Sequence, residues 1–373
     1  MITVKEVQSK KDLRTFVKFP FDLYKDSENW IPPIINQEMK TFNKSLNPVF
    51  ENADAYFFLA FKDTEVVGRV TAIINWLEVN GKNIKKMRFG WFDFIDDLAV
   101  SKALLGKVEE IGRQNGLTFM EGPVGFSNLD KVGVMTEGFE YPGSMITWYN
   151  HPYYVDHFEK HGFTVEKRYQ ESHFYFDDIK PETFLKAQEL IKRRYKLECL
   201  NFKSTKEIMA YTDDMFKVFT KSHATLSSFV EINEKQREYF KKKFVKFLNP
   251  EYVKFVVNEA GELIAFAIIT PSYANALKKI NGRIFPFGIR HLLRAKKHNE
   301  KAVFYLIGIL PEYQNKGVTA IIFNEFYKEV KKKKVKEFIR GPELEDNIAI
   351  QQIWKHFNPV IFKRRCTYRK AIQ

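Results

Sequence analysis

The sequence predicts a layered α+β chain of two tandem domains, residues 1–178 and 179–373, each a mixed central β-sheet flanked by helices. Three observations carry this. Phe119-Met120-Glu121-Gly122-Pro123 recurs as Phe338-Ile339-Arg340-Gly341-Pro342, 219 positions later, and self-similarity at that distance signals a repeated unit. The flanks match as well: in each copy an apolar strand and an amphipathic helix precede the pentapeptide. Finally, the charge is split, with 21 Lys+Arg against 26 Asp+Glu in residues 1–178 and 39 against 20 in residues 179–373. A length of 373 residues also favours two domains of ordinary size over one.

The elements follow in order. Residues 1–7 alternate as a strand and lack the apolar core of a secretion signal. Residues 25–50, with Pro32-Pro33, read as irregular chain plus a short helix. Strands at 55–61, 66–74 and 87–95 precede a helix at 98–115, the pentapeptide strand, a helix at 153–161 and a strand at 164–176. Pro181 opens a helix at 182–195, its fixed φ suiting a first helical turn. In the second half strands at 252–257, 263–269 and 302–310 precede a helix at 318–334, the second pentapeptide, a helix at 347–356 and a strand at 360–369. Residues 271–300 interrupt this plan with Phe285-Pro286-Phe287-Gly288 and a basic helix at 289–297. Long excursions beside a core are often binding loops or lids.

Composition excludes several classes. No apolar run approaches the roughly 18 residues of a membrane span. Cys199 and Cys366 make neither a disulfide framework nor a zinc site and read as reduced thiols, so a cytoplasmic location is expected. His157 and His161 lie four apart, but Phe158 stands where a metalloprotease needs Glu, and no metal is expected. The runs Lys241-Lys242-Lys243, Lys331 to Lys334 and Lys363-Arg364-Arg365 read as solvated faces. A net charge of +14, held by the second half, favours anionic ligands.

The chemistry concentrates at Leu306-Ile307-Gly308-Ile309-Leu310-Pro311-Glu312-Tyr313-Gln314-Asn315-Lys316-Gly317, an apolar strand running through a polar turn into a helix. A helix start leaves N–H groups without intrahelical acceptors, and the positive end of its dipole suits a phosphate. This stretch resembles motif A of the GNAT superfamily of acyl-CoA N-acyltransferases, Gln/Arg-x-x-Gly-x-Gly/Ala after an apolar strand, with Thr319 at the final small position. The resemblance implies acetyl-CoA or another acyl-CoA as cofactor, with Gln314, Asn315, Lys316, Gly317, Val318 and Thr319 around its phosphates. It further implies that the N–H of Ile309 or Leu310 polarises the thioester carbonyl. Asn347 matches the Asn of the family's second motif and reads equally as a helix cap. Trp354 and Asn358-Pro359 replace the Tyr and Gly-Phe of that motif, which the first half keeps as Asn150, Tyr153, Tyr154 and Gly162-Phe163. At the 219 offset Asp96 and Asp97 oppose Asn315 and Lys316. Two carboxylates there would repel a pyrophosphate, so the cofactor is expected in the second half alone. Glu343, just past Gly341-Pro342, is the candidate base, set against a reading as a solvated loop acid.

The leading expectation is therefore transfer of an acyl group to a small-molecule or peptide amine. A non-catalytic CoA-binding protein of the same fold, and a nucleic-acid binder acting through the basic half, are the alternatives. Nucleic acid is the less favoured partner, and neither the acceptor nor the oligomeric state is legible in the sequence.

Overall fold

The computed structural model describes residues 1–127, 129–224, 226, 229–245, 248–354 and 357–373. They form two compact units, the first Met1–Gln170, Ala274–Leu292 and Phe362–Gln373, the second Glu171–Tyr273 and Leu293–Ile361. The division falls at Gln170/Glu171, ahead of the 178/179 boundary expected from sequence, and segments of the second half belong to the first unit.

The first unit orders its strands β1 (Ile2–Glu6), β2 (Ala53–Lys62), β3 (Glu65–Asn75), β4 (Lys86–Phe94) and β5 (Phe119–Gly122). Pairings are antiparallel up to β4, and β4–β5 is parallel. Parallel neighbours need a crossover, supplied by α3 (Leu98–Gln114). β2 shows why both sheet faces are covered. Ala53, Ala55, Phe57 and Leu59 enter one core with Phe16 and Val17 of α1 (Lys10–Leu23) and Ile35 of α2 (Ile35–Thr41). Phe58 and Ala60, on the opposite face, enter another with Leu104 and Val108 of α3 and Phe158 of α4 (Tyr153–Lys160). A strand buried on both faces reads as a continuous apolar run. α1 starts at a capping box, Ser9 accepting from the Asp12 N–H at 3.1 Å and Asp12 from the Ser9 N–H at 3.1 Å.

The last strand departs from expectation. β13 (Val360–Ala371) pairs antiparallel with β5, Tyr368 opposite Gly122, and with β6 (Val134–Glu137). Its charge run is likewise not a solvated face. Lys363 and Arg365 are 2% and 1% exposed. Arg365 donates to the carbonyls of Val132, Gly133 and Trp148 at 3.0, 3.2 and 3.2 Å, and Lys363 to that of Pro142 at 2.5 Å. Alternation along a strand sends every second residue inward, and here the inward residues are cations that find backbone acceptors.

A second charged group is buried beneath β4. Glu78 takes Arg88 Nε at 2.5 Å and Lys86 Nζ at 2.9 Å, and Lys86 also reaches Glu121 at 3.0 Å. Burial opposes the Glu78 charge, but Arg88 and Lys86 outweigh it and hold the carboxyl at about 2.

The second unit repeats the plan with β8 (Glu198–Asn201), β9 (Val253–Val257), β10 (Leu263–Pro271), β11 (Lys301–Ile309) and β12 (Glu337–Leu344), again antiparallel until a parallel final pair. β7 (Thr164–Tyr175) crosses from the first unit, its last residues belonging to the second beside β12. α5 (Glu182–Tyr195), α11 (Val318–Lys333) and α12 (Ile348–Trp354) supply Phe184, Ile321, Ile322 and Trp354 to one core. α7 (Thr212–His223) packs against β10 and β11, following α6 (Thr205–Ala210) and preceding α8 (Glu234–Phe244). The expected end of α12 at His356 lies outside the described residues.

Candidate functional site

The site in the second unit begins with a bulge. β10 and β11 slip register between Ile268 and Ile269, where Ile268 faces Leu306 and Ile269 faces Phe304, leaving Tyr305 as the extra residue of β11. A bulge bends its strand. The parallel β11–β12 ladder runs from Lys301/Glu337 to Phe304/Arg340 and stops at that point, although both strands continue. The two strands therefore diverge, and β11 presents one backbone edge to the gap.

Which N–H groups face the gap follows from antiparallel geometry. Leu310 donates to Ile264 C=O at 2.9 Å, so Ala265 and Ile309 form a non-hydrogen-bonded pair. In such a pair each residue points its own N–H and C=O away from its partner strand. Of the two expected donors, Leu310 is thus consumed by β10, and Ile309 N–H is directed to the opening. The Ile309 carbonyl accepts Gln314 Nε2 at 3.1 Å. Gln314 consequently braces the strand end with its side chain.

The turn itself is a 3-10 segment, Pro311–Tyr313, followed by left-handed residues Asn315 (φ 61°) and Gly317 (φ 75°). Gly317 is the N-cap of α11, has no side chain to close the helix start, and no acid occupies the first turn. The N–H groups of Asn315, Gly317, Val318 and Thr319 take no acceptor among the described residues. Uncompensated donors at a positive helix end form a ready anion cradle. Lys316 lies over the rings of Tyr313 and Tyr195 at 4.9 and 5.3 Å, which holds its ammonium beside the cradle.

The remaining candidates are Glu343 and Asn347. Glu343 is not a solvated loop acid: it lies within β12, its side chain is 16% exposed, and it is paired with Arg340. Burial raises its carboxyl above the ordinary range, and Arg340 only partly reverses this. The Arg340 guanidinium also stacks on Trp354 at 4.6 Å, so Trp354 serves as a buried platform. Asn347 Oδ1 accepts the Ile350 N–H at 3.2 Å, the geometry of a cap.

In the first unit the equivalent groups are already used. Val124 N–H donates to Phe89 C=O at 2.7 Å beside the β4–β5 ladder. Tyr154 accepts the Phe94 N–H at 3.1 Å, and Tyr153 donates to Phe94 C=O at 2.5 Å. Asp97 caps α3 through Ala99 N–H at 2.9 Å. The caps align Asp97 with Gly317, one position off the 219 offset. Asp96 binds His157 Nε2 at 3.0 Å, and Ser101 Oγ bridges His157 Nδ1 and His161 Nε2 at 2.8 and 2.7 Å. The histidines are thus joined through a hydroxyl.

Burial, then His157, Lys370 and Lys102, lower the His161 pKa. Its share of stability is present above the unfolded value near 6.5 and is lost as pH falls through the lower folded value. The denaturant midpoint of the first unit should therefore drop as pH falls below about 6.5. His161→Gln should flatten that slope, and an unchanged slope would remove His161 from the account.

Sequence reading missed a pocket in the first unit. It is small and is lined by Trp91, Phe92, Asp93, Trp148 and Tyr154 among others. Asp93 is held by Arg69 at 2.7 Å and by the Tyr24 hydroxyl at 2.7 Å, and that hydroxyl meets Tyr154 at 2.9 Å. Burial first, and then Asp93, keep both phenols protonated well above their ordinary range. The signal was an oppositely charged pair, Arg69 and Asp93, among the apolar residues of two neighbouring strands.

Two units with this strand order, a diverging parallel pair and a turn at a helix start define a tandem GNAT-like fold, the fold of acyl-CoA N-acyltransferases. A solved tandem GNAT protein from the clavulanic acid biosynthesis pathway superposes with TM-score 0.60 at 10% identity, covering 100% of this chain and 99% of that one. In sequence the chain is 25% identical to Protein YghO of Escherichia coli K12, over 99% of this chain and 95% of that protein. It is 24% identical to a bacterial ceramide synthase of Caulobacter vibrioides, over 84% and 82%. No family model matches.

Proposed function

We propose that the chain is an acyl-CoA-dependent N-acyltransferase whose cofactor binds the second unit. The observation that carries this is the uncapped start of α11 beside the free Ile309 N–H. The pyrophosphate would take the N–H groups of Asn315, Gly317, Val318 and Thr319, with Lys316 adding charge. The thioester carbonyl would take Ile309 N–H, which stabilises negative charge as the amine attacks. The new C–N bond forms, the C–S bond breaks, and the amine proton leaves to a base. Glu343, its carboxyl raised by burial, fits that role when Arg340 releases it. Ceramides are N-acylated long-chain amino alcohols, so the ceramide synthase relative makes a long-chain amine and a long-chain acyl-CoA the first pair to assay.

Calorimetric titration with acetyl-CoA and a long-chain acyl-CoA tests the reading, and no heat at millimolar ligand would defeat it. Glu343→Gln should lower turnover by about a hundredfold with cofactor affinity retained. Unchanged turnover would remove Glu343 as base. A second reading, a CoA-binding protein without turnover, is favoured by the Arg340–Glu343 pair and by Trp354, which offers no hydroxyl for a leaving thiolate. Binding without turnover across an amine panel would select it.

A further inference from the structure

The geometry points to residues 283–297 as a docking surface for an anionic lipid bilayer. Residues 274–299 contain seven Lys or Arg, two His and no Asp or Glu. Beside these cations four apolar side chains are bare: Phe285, Phe287, Ile289 and Leu293 are 77%, 68%, 36% and 52% exposed. Large apolar groups are normally turned inward, and a contiguous exposed set marks an interaction surface.

The segment is held in this posture. α9 (Ala274–Ile280) is followed by a turn whose Gly282 accepts the Ile35 N–H at 3.1 Å, while Lys278 binds the Glu28 carbonyl. A Cβ on Gly282 would meet the Phe21 ring at 2.7 Å, so the turn sits tightly on α1. The chain then doubles back, with Arg283 N–H on Ile280 C=O at 2.9 Å and Ile289 N–H on Ile284 C=O at 3.0 Å. The two phenylalanines project from this anchored turn.

α10 (Gly288–Lys297) follows the turn directly in the chain. Ile289 and Leu293 are one helical turn apart, and Arg290, Arg294 and Lys297 form the adjoining stripe. An apolar stripe bordered by cations is the pattern of a helix lying in a membrane interface, apolar side chains among the acyl chains and cations at the headgroups. Among the described residues no helix is long and apolar enough to cross a membrane, so the contact would be peripheral. Charge complementarity selects an anionic surface. Phe285 and Phe287 could stack on bases, but the aliphatic Ile289 and Leu293 cannot and suit acyl chains, which favours the bilayer. The inference stands independently of the acyl-transfer reading.

Co-sedimentation of the full chain with vesicles tests it. Binding should be at least about tenfold stronger to phosphatidylcholine containing phosphatidylglycerol than to phosphatidylcholine alone, and should weaken at about 0.5 M salt. Phe285→Ser with Phe287→Ser should lower it about tenfold, and Arg290→Glu with Arg294→Glu should abolish the preference for phosphatidylglycerol. All four side chains are exposed, so circular dichroism melts should match the parent. Absence of binding to the anionic vesicles would overturn the proposal, as would binding unaffected by the phenylalanine changes. Retention on duplex DNA, or a dimer dispersed by the phenylalanine changes, without vesicle binding would assign the face to nucleic acid or a second copy and overturn it equally.

Discussion

A Gly317→Asp variant is expected to lose acyl-CoA affinity by about a hundredfold or more in a calorimetric titration. Two effects add. Gly317 holds a left-handed φ of 75° at the start of α11, and a side chain in that region costs about 1 kcal/mol. A Cβ would also meet Ile191 Cδ1 at 2.6 Å, although the end of that side chain can give way. The larger effect is electrostatic. A carboxylate in the cradle would face a pyrophosphate, and like charges about 4 Å apart repel by about 4 kcal/mol in a surface-like dielectric. Gly317→Ala separates the two, since it keeps the strain and omits the charge, and should lose far less. Unchanged affinity in the Asp variant would place the cofactor elsewhere.

Replacing Glu78 with Ala is expected to destabilise the first unit by about 3–5 kcal/mol, read as a shift of its denaturant transition. Glu78 is 2% exposed, and its carboxylate is the shared partner of Arg88 and Lys86, themselves 3% and 4% exposed. Removing it leaves two buried cations, of which Lys86 retains Glu121 and Arg88 the Gly125 carbonyl at 3.0 Å. Breaking a buried pair costs more than the pair ever contributed, because the desolvation of the surviving charge is no longer offset. Glu78→Gln keeps the shape and some hydrogen bonding and should cost less. A shift under about 1 kcal/mol for the Ala variant would show that water reaches the cluster. The pH dependence has a definite sign: the carboxyl is held at about 2, so its contribution is full above the ordinary value near 4.5 and fades as pH falls toward 2.

Much of the plan was legible because periodicity is local. The helix expected at 182–195 is α5 as observed, and the strands expected at 87–95 and 302–310 shift by one residue at each end to become β4 and β11. The turn at Gln314 to Gly317 was legible because a Gly and polar residues after an apolar run are chemically distinctive. Assignment of β13 was not, since nothing in an alternating strand names its partner, and it pairs with β5. The buried Lys363 and Arg365 were misread because a cation run looks the same whether water or backbone carbonyls receive it. Which of Ile309 and Leu310 turns its N–H away from β10 was not legible because both lie on one apolar run; pair parity decided that orientation.

By itself the sequence determined the duplicated α+β plan, the charge split and the position of one strand-turn-helix, since each follows from residue type at short range or from a repeat. Only the tertiary structure decided which donors of that turn are free. It also showed that Asp96 binds His157, that Asp97 caps α3, and that Glu343 is half-buried and paired with Arg340. These are questions of which hydrogen-bond partner arrives from elsewhere in the chain, and a partner's arrival depends on the packing of strands and helices far apart in sequence.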